Sequence, residues 1–372
     1  MKSRLSESGH QAESEDVDVW TCLKVIKNNK DYYDQSLDEI KLLHYINSHC
    51  NPDEKNILKM RDFFYYKEHL VIVTELLCDN LYAFGRYIND SKGQLAPYFT
   101  LPRLKRISYQ VMIALDYIHS LGLIHCDIKP ENIVIKSYSR CQVKLIDFGA
   151  TCFVTDKLTT YIQSRSYRAP EVVLGGLYDH RIDVWSYGAV LAELYTGYVL
   201  FQSDSVACML ARIAGVLGPL PRSLLSACNN TKEYILAENF FYEKSDSDEM
   251  RVKVILPKVT SLRERLHIEL PVNLADTVLT LDDVKVGLCS SDERDLSLFL
   301  DFIRVVLKLD YRHRVSAGDC LLHDWLVDTY SEEQEVLVQY NADNGSNSGK
   351  DGGEGSGNGC SDTDDDHDDH DK

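Results

Sequence analysis

Four residues in two short segments have the types that phosphoryl transfer requires. HCDIKPEN (125–132) contains Asp127, Lys129 and Asn132, and the triplet DFG begins at Asp147, twenty residues after the first aspartate. A carboxylate can accept the proton of a hydroxyl, and a lysine can neutralise a moving anion. Carboxylate and amide oxygens are ligands that Mg²⁺ accepts. Taken singly, each of these residues is more simply explained as a surface polar group.

A third segment makes the pattern specific. The triplet APE (169–171) begins twenty residues after the glycine of DFG. Each triplet alone is weak evidence, but the three together in this order and spacing form the signature set of protein kinases. The chain resembles the eukaryotic protein kinase family over about residues 19–328.

The resemblance implies a role for each of the first four residues. Asp127 would orient the substrate hydroxyl and accept its proton, and Lys129 would neutralise the transferred phosphoryl group. Asp147 would hold Mg²⁺ between the phosphates of ATP, with Asn132 as a second, neutral ligand. The transition state spreads negative charge over the transferred oxygens, so fixed cations are needed more than covalent chemistry.

The resemblance extends to the segments that would bind the nucleotide. CLKVIK is similar to the lysine strand of the family, which implies that Lys24 contacts the α- and β-phosphates. Glu39, in the following helix, would be its ion-pair partner. VTELL resembles the hinge between the two lobes, where Glu75 and Leu77 would present backbone groups to adenine and Thr74 would be the gatekeeper.

Two further resemblances imply structural roles. DVWSYG is similar to a buried helix of the family, whose aspartate, here Asp183, supports the backbone of the catalytic loop. DYRHR is similar to a late motif whose arginine, here Arg314, pairs with Glu171 of APE.

Cys126 stands where most protein kinases have an arginine that holds a phosphorylated activation loop. A thiol is a weak, uncharged donor and cannot replace that arginine. The segment TTYIQSRSYRAPE (159–171) is similar to the activation segment of the dual-specificity tyrosine-phosphorylation-regulated kinases, in which cysteine is common at this position. NNKDYYDQSLDEIKLL, SYSRCQVKLIDFG and LPKVTSLRERL also resemble that family.

This closer resemblance implies that Tyr161 is autophosphorylated. Its phosphate would add about two negative charges, which Arg165 and Arg168 would bind with charge-assisted hydrogen bonds. The alternative is that the tyrosine only packs within the loop. The family often has a second tyrosine where Thr159 stands here. Homeodomain-interacting and Cdc2-like kinases are the nearest alternative families, but the sequence around the lysine strand favours the first assignment.

The elements that must position these residues can be read from hydrophobic periodicity. TCLKVIK, HLVIVTELL and VKLIDFG are strand-like, and DQSLDEIKLLHYIN has its apolar residues on one helical face. A helix is predicted to begin at Thr100, with Pro102 in its first turn, and to end at Gly122. DVWSYGAVLAELYTG is apolar nearly all round, which predicts a buried helix that ends at Gly197.

Strands dominate early and helices late, which predicts an α+β, bilobal protein kinase fold. We expect a kinase domain at 17–330, with a small lobe at about 17–76 and a large lobe at about 77–330. Residues 1–16 are expected to be disordered, as are residues 331–372. The latter contain 13 acidic and 2 basic residues of a chain whose formal charge is −18, and they are rich in Gly, Ser and Asp.

Composition excludes several other classes of protein. No apolar run approaches the roughly 18 residues that a transmembrane helix needs, and no concentrated basic patch indicates a nucleic-acid partner. The 11 cysteines form no CxxC pair, so we expect a reducing compartment, either the cytoplasm or the nucleus. The segment at 229–297 is more polar than a minimal large lobe needs and is a candidate partner-binding insert.

One feature of the family is missing. Protein kinases have a glycine-rich loop before the lysine strand, but only Gly9 precedes Lys24 here, so the small lobe is expected to lack the loop. An incomplete gene model, a weak kinase and a pseudokinase are the three explanations, in that order. The resulting hypothesis is an ATP- and Mg²⁺-dependent kinase that phosphorylates Ser and Thr of proteins. The alternative is a catalytically impaired pseudokinase that serves as an interaction scaffold.

Overall fold

A computed structural model provides the fold of the chain, and residues 1–329 form one compact unit. The structure describes residues 20–91, 97–156, 159–237, 240–245, 248–270 and 290–327. The predictions for the two chain ends and for the missing glycine-rich loop therefore concern residues outside the described part.

An antiparallel sheet of three strands begins the described chain. Its strands are β1 (Thr21–Val25), β2 (Met60–Tyr66) and β3 (His69–Glu75), and β3 lies in the centre. Lys24 of β1 lies opposite Ile72 of β3. Two of the strands were predicted, whereas the exposed aromatic strand β2 was not.

Helix α1 (Lys30–Ser48) packs against this sheet. Asn29 caps its first turn by accepting a hydrogen bond from the backbone N–H of Asp31. Ile40 of the helix packs with Ile26, Leu70 and Ile72 of the sheet side. The predicted amphipathic helix is confirmed, and its buried face fixes the position of the sheet relative to the helix.

Three helices follow the sheet, and the two longer ones are largely buried. Helix α2 (Leu81–Asp90) follows the sheet, and α3 (Leu101–Ser120) begins after Thr100 with proline in its first turn, as predicted. Helix α5 (Arg181–Thr196) is buried along most of its length and ends at Gly197, whose φ of 78° is left-handed. Only glycine adopts that conformation without strain, so the sequence predicts the end of α5 correctly.

Short strands join these helices to the catalytic segments. They are β4 (Leu123–Ile124), β5 (Ile133–Ser137), β6 (Gln142–Leu145) and β7 (Cys152–Phe153). Strand β4 pairs with β7, and β5 pairs with β6. The segments that carry Asp127 and Asp147 are therefore fixed by strands at one or both ends.

The remaining elements complete the large lobe. They are α4 (Pro170–Val173), α6 (Val206–Leu217), α7 (Arg222–Ala227), α8 (Thr231–Tyr234), β8 (Ile235–Ala237), β9 (Phe240–Ser245), β10 (Asp248–Ile255), α9 (Leu262–Arg265), α10 (Ser291–Val306) and α11 (Ala317–Leu321). Strands β8, β9 and β10 form a separate antiparallel sheet, within the segment expected to be an insert. No helix of the described ranges is both long and apolar enough to cross a membrane.

Candidate active site

A lysine and a glutamate form an ion pair between β1 and α1. Lys24 Nζ lies 2.7 Å from Glu39 Oε1 and 2.8 Å from Oε2. The carboxylate is largely buried, while the lysine side chain is 47% exposed. The structure therefore brings together the two residues that the sequence paired, and the ammonium remains accessible to an anionic ligand.

Asp127 is held by three side chains. Lys129 Nζ donates to its Oδ2 over 2.6 Å, and Asn132 Nδ2 donates to the same oxygen over 3.1 Å and to the Asp127 carbonyl over 2.8 Å. Ser164 Oγ donates to Oδ1 over 2.9 Å. The sequence analysis missed Ser164, because only the fold brings the activation segment back to the catalytic loop. These bonds fix the carboxylate in one orientation.

The backbone of the catalytic loop is bonded to the buried Asp183. Its carboxylate accepts the backbone N–H groups of His125 at 2.8 Å and Cys126 at 3.0 Å. His119 Nε2 lies 2.9 Å from the same carboxylate. Cys126 has a φ of 65°, a left-handed conformation that is unfavourable for a residue with a Cβ. The two hydrogen bonds from the backbone N–H groups to Asp183 stabilise this turn and so position Asp127.

Asp147 lies two residues after the end of β6 and also has a left-handed φ, of 63°. Its Oδ1 lies 3.4 Å, and Glu39 Oε2 4.0 Å, from the point that a Cβ on Gly149 would occupy. The carboxylate of Asp147 is thus close to the ion pair of β1 and α1. The N–H of Ile146 donates to the carbonyl of Asn132 over 3.0 Å, which ties this segment to the catalytic loop.

The donor set suits a magnesium ion bound together with phosphates. The amide of Asn132 uses its nitrogen for both bonds to Asp127, which leaves its oxygen as a potential ligand. Asp147 supplies a carboxylate on the neighbouring segment. Mg²⁺ commonly takes one or two protein oxygens and completes its shell with phosphate oxygens and water.

The predicted hinge lies at the end of β3. Thr74 is buried and its hydroxyl donates to the carbonyl of Glu75 over 3.1 Å. Leu77 is half-buried just beyond the strand, and the N–H of Cys78 donates to the carbonyl of Ile135 over 2.8 Å. The backbone of Glu75 and Leu77 is therefore placed between the two lobes, while its contact with adenine stays a prediction.

The activation segment exposes its tyrosine. Tyr161 is 90% exposed. Arg168 donates to the carbonyls of Ile162 and Gln163, each over 2.8 Å, and Arg165 donates to the carbonyl of Asp204 over 2.8 Å. Burial, followed by the charge of Arg165, lowers the pKa of Arg168. The two guanidinium groups repel one another, so an anion between them would be stabilised.

Gln163 anchors this segment, which the sequence analysis missed. Its N–H donates to the carbonyl of Cys126 over 3.0 Å, and its side-chain amide donates to Ser186 Oγ over 2.8 Å. Its side-chain oxygen accepts the N–H of Ala169 over 3.0 Å. The residue therefore connects the catalytic loop, helix α5 and the APE segment.

The late arginine and the glutamate of APE form a buried pair. Arg314 donates two hydrogen bonds to Glu171, of 2.6 and 3.1 Å, and both side chains are fully buried. The guanidinium also lies 5.0 Å from the centre of the Trp185 ring. This pair, which the sequence analysis matched to the family, fixes the end of the activation segment to the large lobe.

The buried Cys126 lies next to a second cysteine. The two sulfur atoms of Cys126 and Cys152 are 3.4 Å apart, in contact across β4 and β7. The hydrogen bond with the Cys152 thiol, followed by burial, raises the pKa of Cys126. A neutral thiol was expected here in place of the usual arginine, but its contact with Cys152 was not predicted.

Two carboxylates lie beside the catalytic loop and were also missed. One oxygen of Glu131 is buried without a hydrogen-bond partner in the described part of the chain. Burial, with a contribution from the charge of Glu131, raises the pKa of Glu193, whose Oε2 accepts the Tyr167 hydroxyl over 2.7 Å. Glu193 lines a groove of about 320 Å³ between α2 and α5. Glu131 is close enough for its charge to act on Glu193, so a cation bound at Glu193 in this groove would offset the repulsion between the two carboxylates.

Comparison with known proteins agrees with this geometry. A family model described as "Protein kinase domain" matches residues 8–326. A curated relative, "Putative dual specificity tyrosine-phosphorylation-regulated kinase 3 homolog" of Drosophila melanogaster, is 35% identical over 82% of this chain and 35% of its own length.

Two other relatives have a similar sequence identity to this chain. "Dual specificity tyrosine-phosphorylation-regulated kinase 4" of Homo sapiens is 34% identical over 82% of this chain and 52% of its own length. "Probable serine/threonine-protein kinase dyrk2" of Dictyostelium discoideum is 34% identical over 82% of this chain and 30% of its own length. The chain thus spans between 30% and 52% of the length of these three relatives.

Proposed function

We propose that this chain transfers the γ-phosphoryl group of ATP to Ser and Thr of proteins. The chain belongs to the protein kinase family and, within it, to the dual-specificity tyrosine-phosphorylation-regulated kinases. The observation that carries the proposal is the hydrogen bonding of Asp127, whose carboxylate is oriented by Lys129, Asn132 and Ser164. The hydroxyl of Ser164 donates to this carboxylate, which supports the proposal that Asp127 accepts the proton of a substrate alcohol.

The proposed reaction is a direct transfer. The substrate oxygen forms a bond to the γ-phosphorus, the bond from that phosphorus to the β,γ-bridging oxygen breaks, and ADP leaves. The hydroxyl proton passes to Asp127. Lys129, whose Nζ lies 2.6 Å from Asp127 Oδ2, supplies a positive charge beside the reacting oxygen.

The nucleotide would be held by residues of both lobes. Lys24, fixed by Glu39, would bind the α- and β-phosphates, and the backbone of Glu75 and Leu77 would bind adenine. Mg²⁺, when bound by Asp147 and the amide oxygen of Asn132, would neutralise charge on the phosphate oxygens.

We further propose that Tyr161 is autophosphorylated and that its phosphate binds between Arg165 and Arg168. The tyrosine is accessible, and the mutual repulsion of the two guanidinium groups supports the binding of an anion there. The arginines now bond to backbone carbonyls, so a phosphate would replace weaker neutral acceptors with a charged one.

For the substrate, we propose a basic side chain near the phosphorylated residue. The carboxylates of Glu131 and Glu193 support it, because a cation would relieve the repulsion between them and would satisfy a buried oxygen.

A reducing compartment, cytoplasm or nucleus, is also proposed; it is supported by nine free cysteines in the described part of the chain.

Steady-state kinetics with ATP, Mg²⁺ and a Ser-containing peptide test the proposal. We expect Asp127→Asn to lower kcat by about 10²-fold or more, because the proton acceptor is lost while the shape is kept. Lys136→Met, a change of a half-exposed lysine outside the candidate site, is the control and should leave kcat unchanged. Equal kcat for the parent and Asp127→Asn would contradict the proposed function.

A further inference from the structure

A buried lysine near the candidate site has no part in the proposed reaction. Lys144 lies in β6, three residues before Asp147, and its side chain is 2% exposed. Its Nζ lies 2.5 Å from Glu75 Oε1 and 2.7 Å from Asp53 Oδ1. An ammonium in such a place is costly unless it is paired, and here one ammonium binds two carboxylates.

The first partner of Lys144 is the hinge residue. The carboxylate of Glu75 also accepts the N–H of Lys59 over 2.7 Å, and the N–H of Glu75 donates to the Lys59 carbonyl over 3.0 Å. Both the side chain and the backbone of Glu75 are therefore held in place. The carbonyl proposed to accept from adenine belongs to this same residue.

The second partner lies in the segment that connects α1 with β2. Burial raises the pKa of Asp53, but hydrogen bonds from Lys136 and Lys144 outweigh it and hold the pKa at about 2. The same segment is bonded to β6 through the backbone, since the Leu145 N–H donates to the Asn56 carbonyl over 2.8 Å. Asp53 therefore remains charged and completes the contacts of Lys144.

Lys144 thus connects three parts of the nucleotide site. It binds the hinge through Glu75, binds the segment after the helix of Glu39 through Asp53, and lies on the strand that leads to Asp147. Buried ion pairs add little to stability when compared with well-packed apolar residues, so the main effect of such a pair is on geometry. Removal of the ammonium would leave two carboxylates facing each other, and their repulsion would separate the hinge from the connecting segment.

We propose that Lys144 is a positioning residue for the nucleotide. By holding Glu75 against β6, it sets the distance between the adenine acceptor at the hinge and the carboxylate of Asp147. One ATP molecule can then bind at both ends at once. The inference rests on the proposed function, because it needs a nucleotide in this cleft.

Calorimetric titration of the full chain tests the proposal with two probes. Adenosine reports the hinge alone, and Mg²⁺ with inorganic tripolyphosphate reports the phosphate end alone. We expect Lys144→Met to weaken adenosine binding and to raise KM for ATP about tenfold. Displacement of the Glu75 carbonyl by a fraction of an ångström is enough to weaken its hydrogen bond to adenine. Tripolyphosphate binding and kcat should stay within about twofold of the parent.

Three variants make the result specific. Lys136→Met removes the other lysine of Asp53, which is half-exposed, and should leave adenosine binding unchanged. Lys144→Arg keeps the charge and should recover most of the affinity. If Lys144→Met does not fold, Glu75→Gln carries the test, because it keeps the shape and removes the charged partner.

The outcomes separate this inference from the proposed function. A parent protein that binds adenosine, with equal binding by Lys144→Met and Glu75→Gln, overturns the inference alone. If Lys144→Met binds neither adenosine nor Mg²⁺ with tripolyphosphate, the inference is also overturned, because loss of binding at both ends indicates a general structural defect. A parent that binds neither probe overturns the proposed function and this inference with it.

Discussion

Asp127 has its position set by residues that lie far apart in the chain. Ser164 is 37 residues away and bonds to its carboxylate, and Asp183 is 58 residues from His125 and bonds to the loop backbone. The left-handed turn at Cys126 is stabilised by Asp183, which accepts the N–H groups of His125 and Cys126. At the scale of single residues, the position of Asp127 therefore depends on side chains that are distant from it in the sequence.

Replacement of Asp183 by alanine should destabilise the fold. Two buried N–H groups would lose their acceptor, which we expect to lower the free energy of unfolding by about 3 kcal/mol. Urea denaturation measures this change. Asp179→Ala is the matched control, since Asp179 also accepts a backbone N–H, that of Arg181, but is 31% exposed. A similar small effect of both substitutions would contradict the account.

Replacement of Glu131 by glutamine should change the choice of substrate. The variant keeps the shape of the side chain but loses the negative charge that acts on Glu193 of the groove. We expect kcat/KM to fall about tenfold for a peptide with arginine near the phosphorylated serine, and by less than about twofold for the same peptide with alanine. Steady-state kinetics on the peptide pair measures this. An equal fall for both peptides would contradict a direct contact with the basic residue.

At the scale of elements, helix α6 is packed too closely to accept a side chain at Gly215. A Cβ there would lie 2.5 Å from the carbonyl oxygen of Lys258, whereas a Cβ on Gly85 of α2 would lie 3.6 Å from its nearest neighbour, Phe99. Alanine is a better helix former than glycine by about 1 kcal/mol. Substitution by alanine therefore changes helix propensity equally at the two glycines, whereas only at Gly215 would the new Cβ clash with a neighbouring backbone.

The two Gly→Ala substitutions should therefore have opposite signs. Gly85→Ala should raise the free energy of unfolding by about 0.5–1 kcal/mol through helix propensity. Gly215→Ala should lower it by about 1–3 kcal/mol, because the backbone at Lys258 must move. Thermal or urea unfolding of the two variants compares them. Stabilisation by both would show that the segment at Lys258 is not packed against α6.

For the whole molecule, buried histidines should make stability depend on pH. Burial lowers the pKa of His125, and burial with the charge of His119 lowers the pKa of His180, both from 6.5. The folded state then binds fewer protons than the unfolded state as the pH falls below that value. Their contribution is complete above the unfolded pKa and decreases as the pH drops through it.

We therefore expect the free energy of unfolding to be lower at pH 5.5 than at about pH 7.5. His180→Asn should reduce this difference, whereas His313→Asn, a change at a histidine whose side chain is 72% exposed, should not. Urea titrations of the three proteins at both pH values measure it. A pH profile identical in the parent and His180→Asn would remove His180 from the explanation.

Much of the fold could be predicted from local patterns. Helices α1 and α3 have apolar residues at helical spacing, α5 is apolar nearly all round and ends at Gly197, and the hinge strand is an apolar run. Strand β2 was missed because its residues are mostly exposed, so it lacks the alternation of a half-buried strand. Strand β1 is also mostly exposed, yet its sequence was recognised as strand-like, so exposure alone did not decide which strands were found.

The site could be predicted only where a motif specifies spacing. The pairs Lys24–Glu39 and Arg314–Glu171 follow from the family resemblance and form in the structure. Gln163, Ser164 and Lys144 were missed because they bond to residues far away in the chain; their partners Ser186, Asp127 and Glu75 are 23 to 69 residues away. Burial of a polar side chain depends on tertiary contacts, so the charge of Lys144 reads in the sequence as an exposed surface group.

The central claim is that this chain is a kinase that phosphorylates its own activation segment. The most direct measurement is mass-spectrometric mapping of phosphorylation after incubation of phosphatase-treated protein with Mg²⁺ and ATP, beside Asp127→Asn. We predict phosphate on Tyr161 in the parent and none in the variant, since the variant lacks the proton acceptor. Absence of phosphate in both, or its presence in both, would contradict the claim.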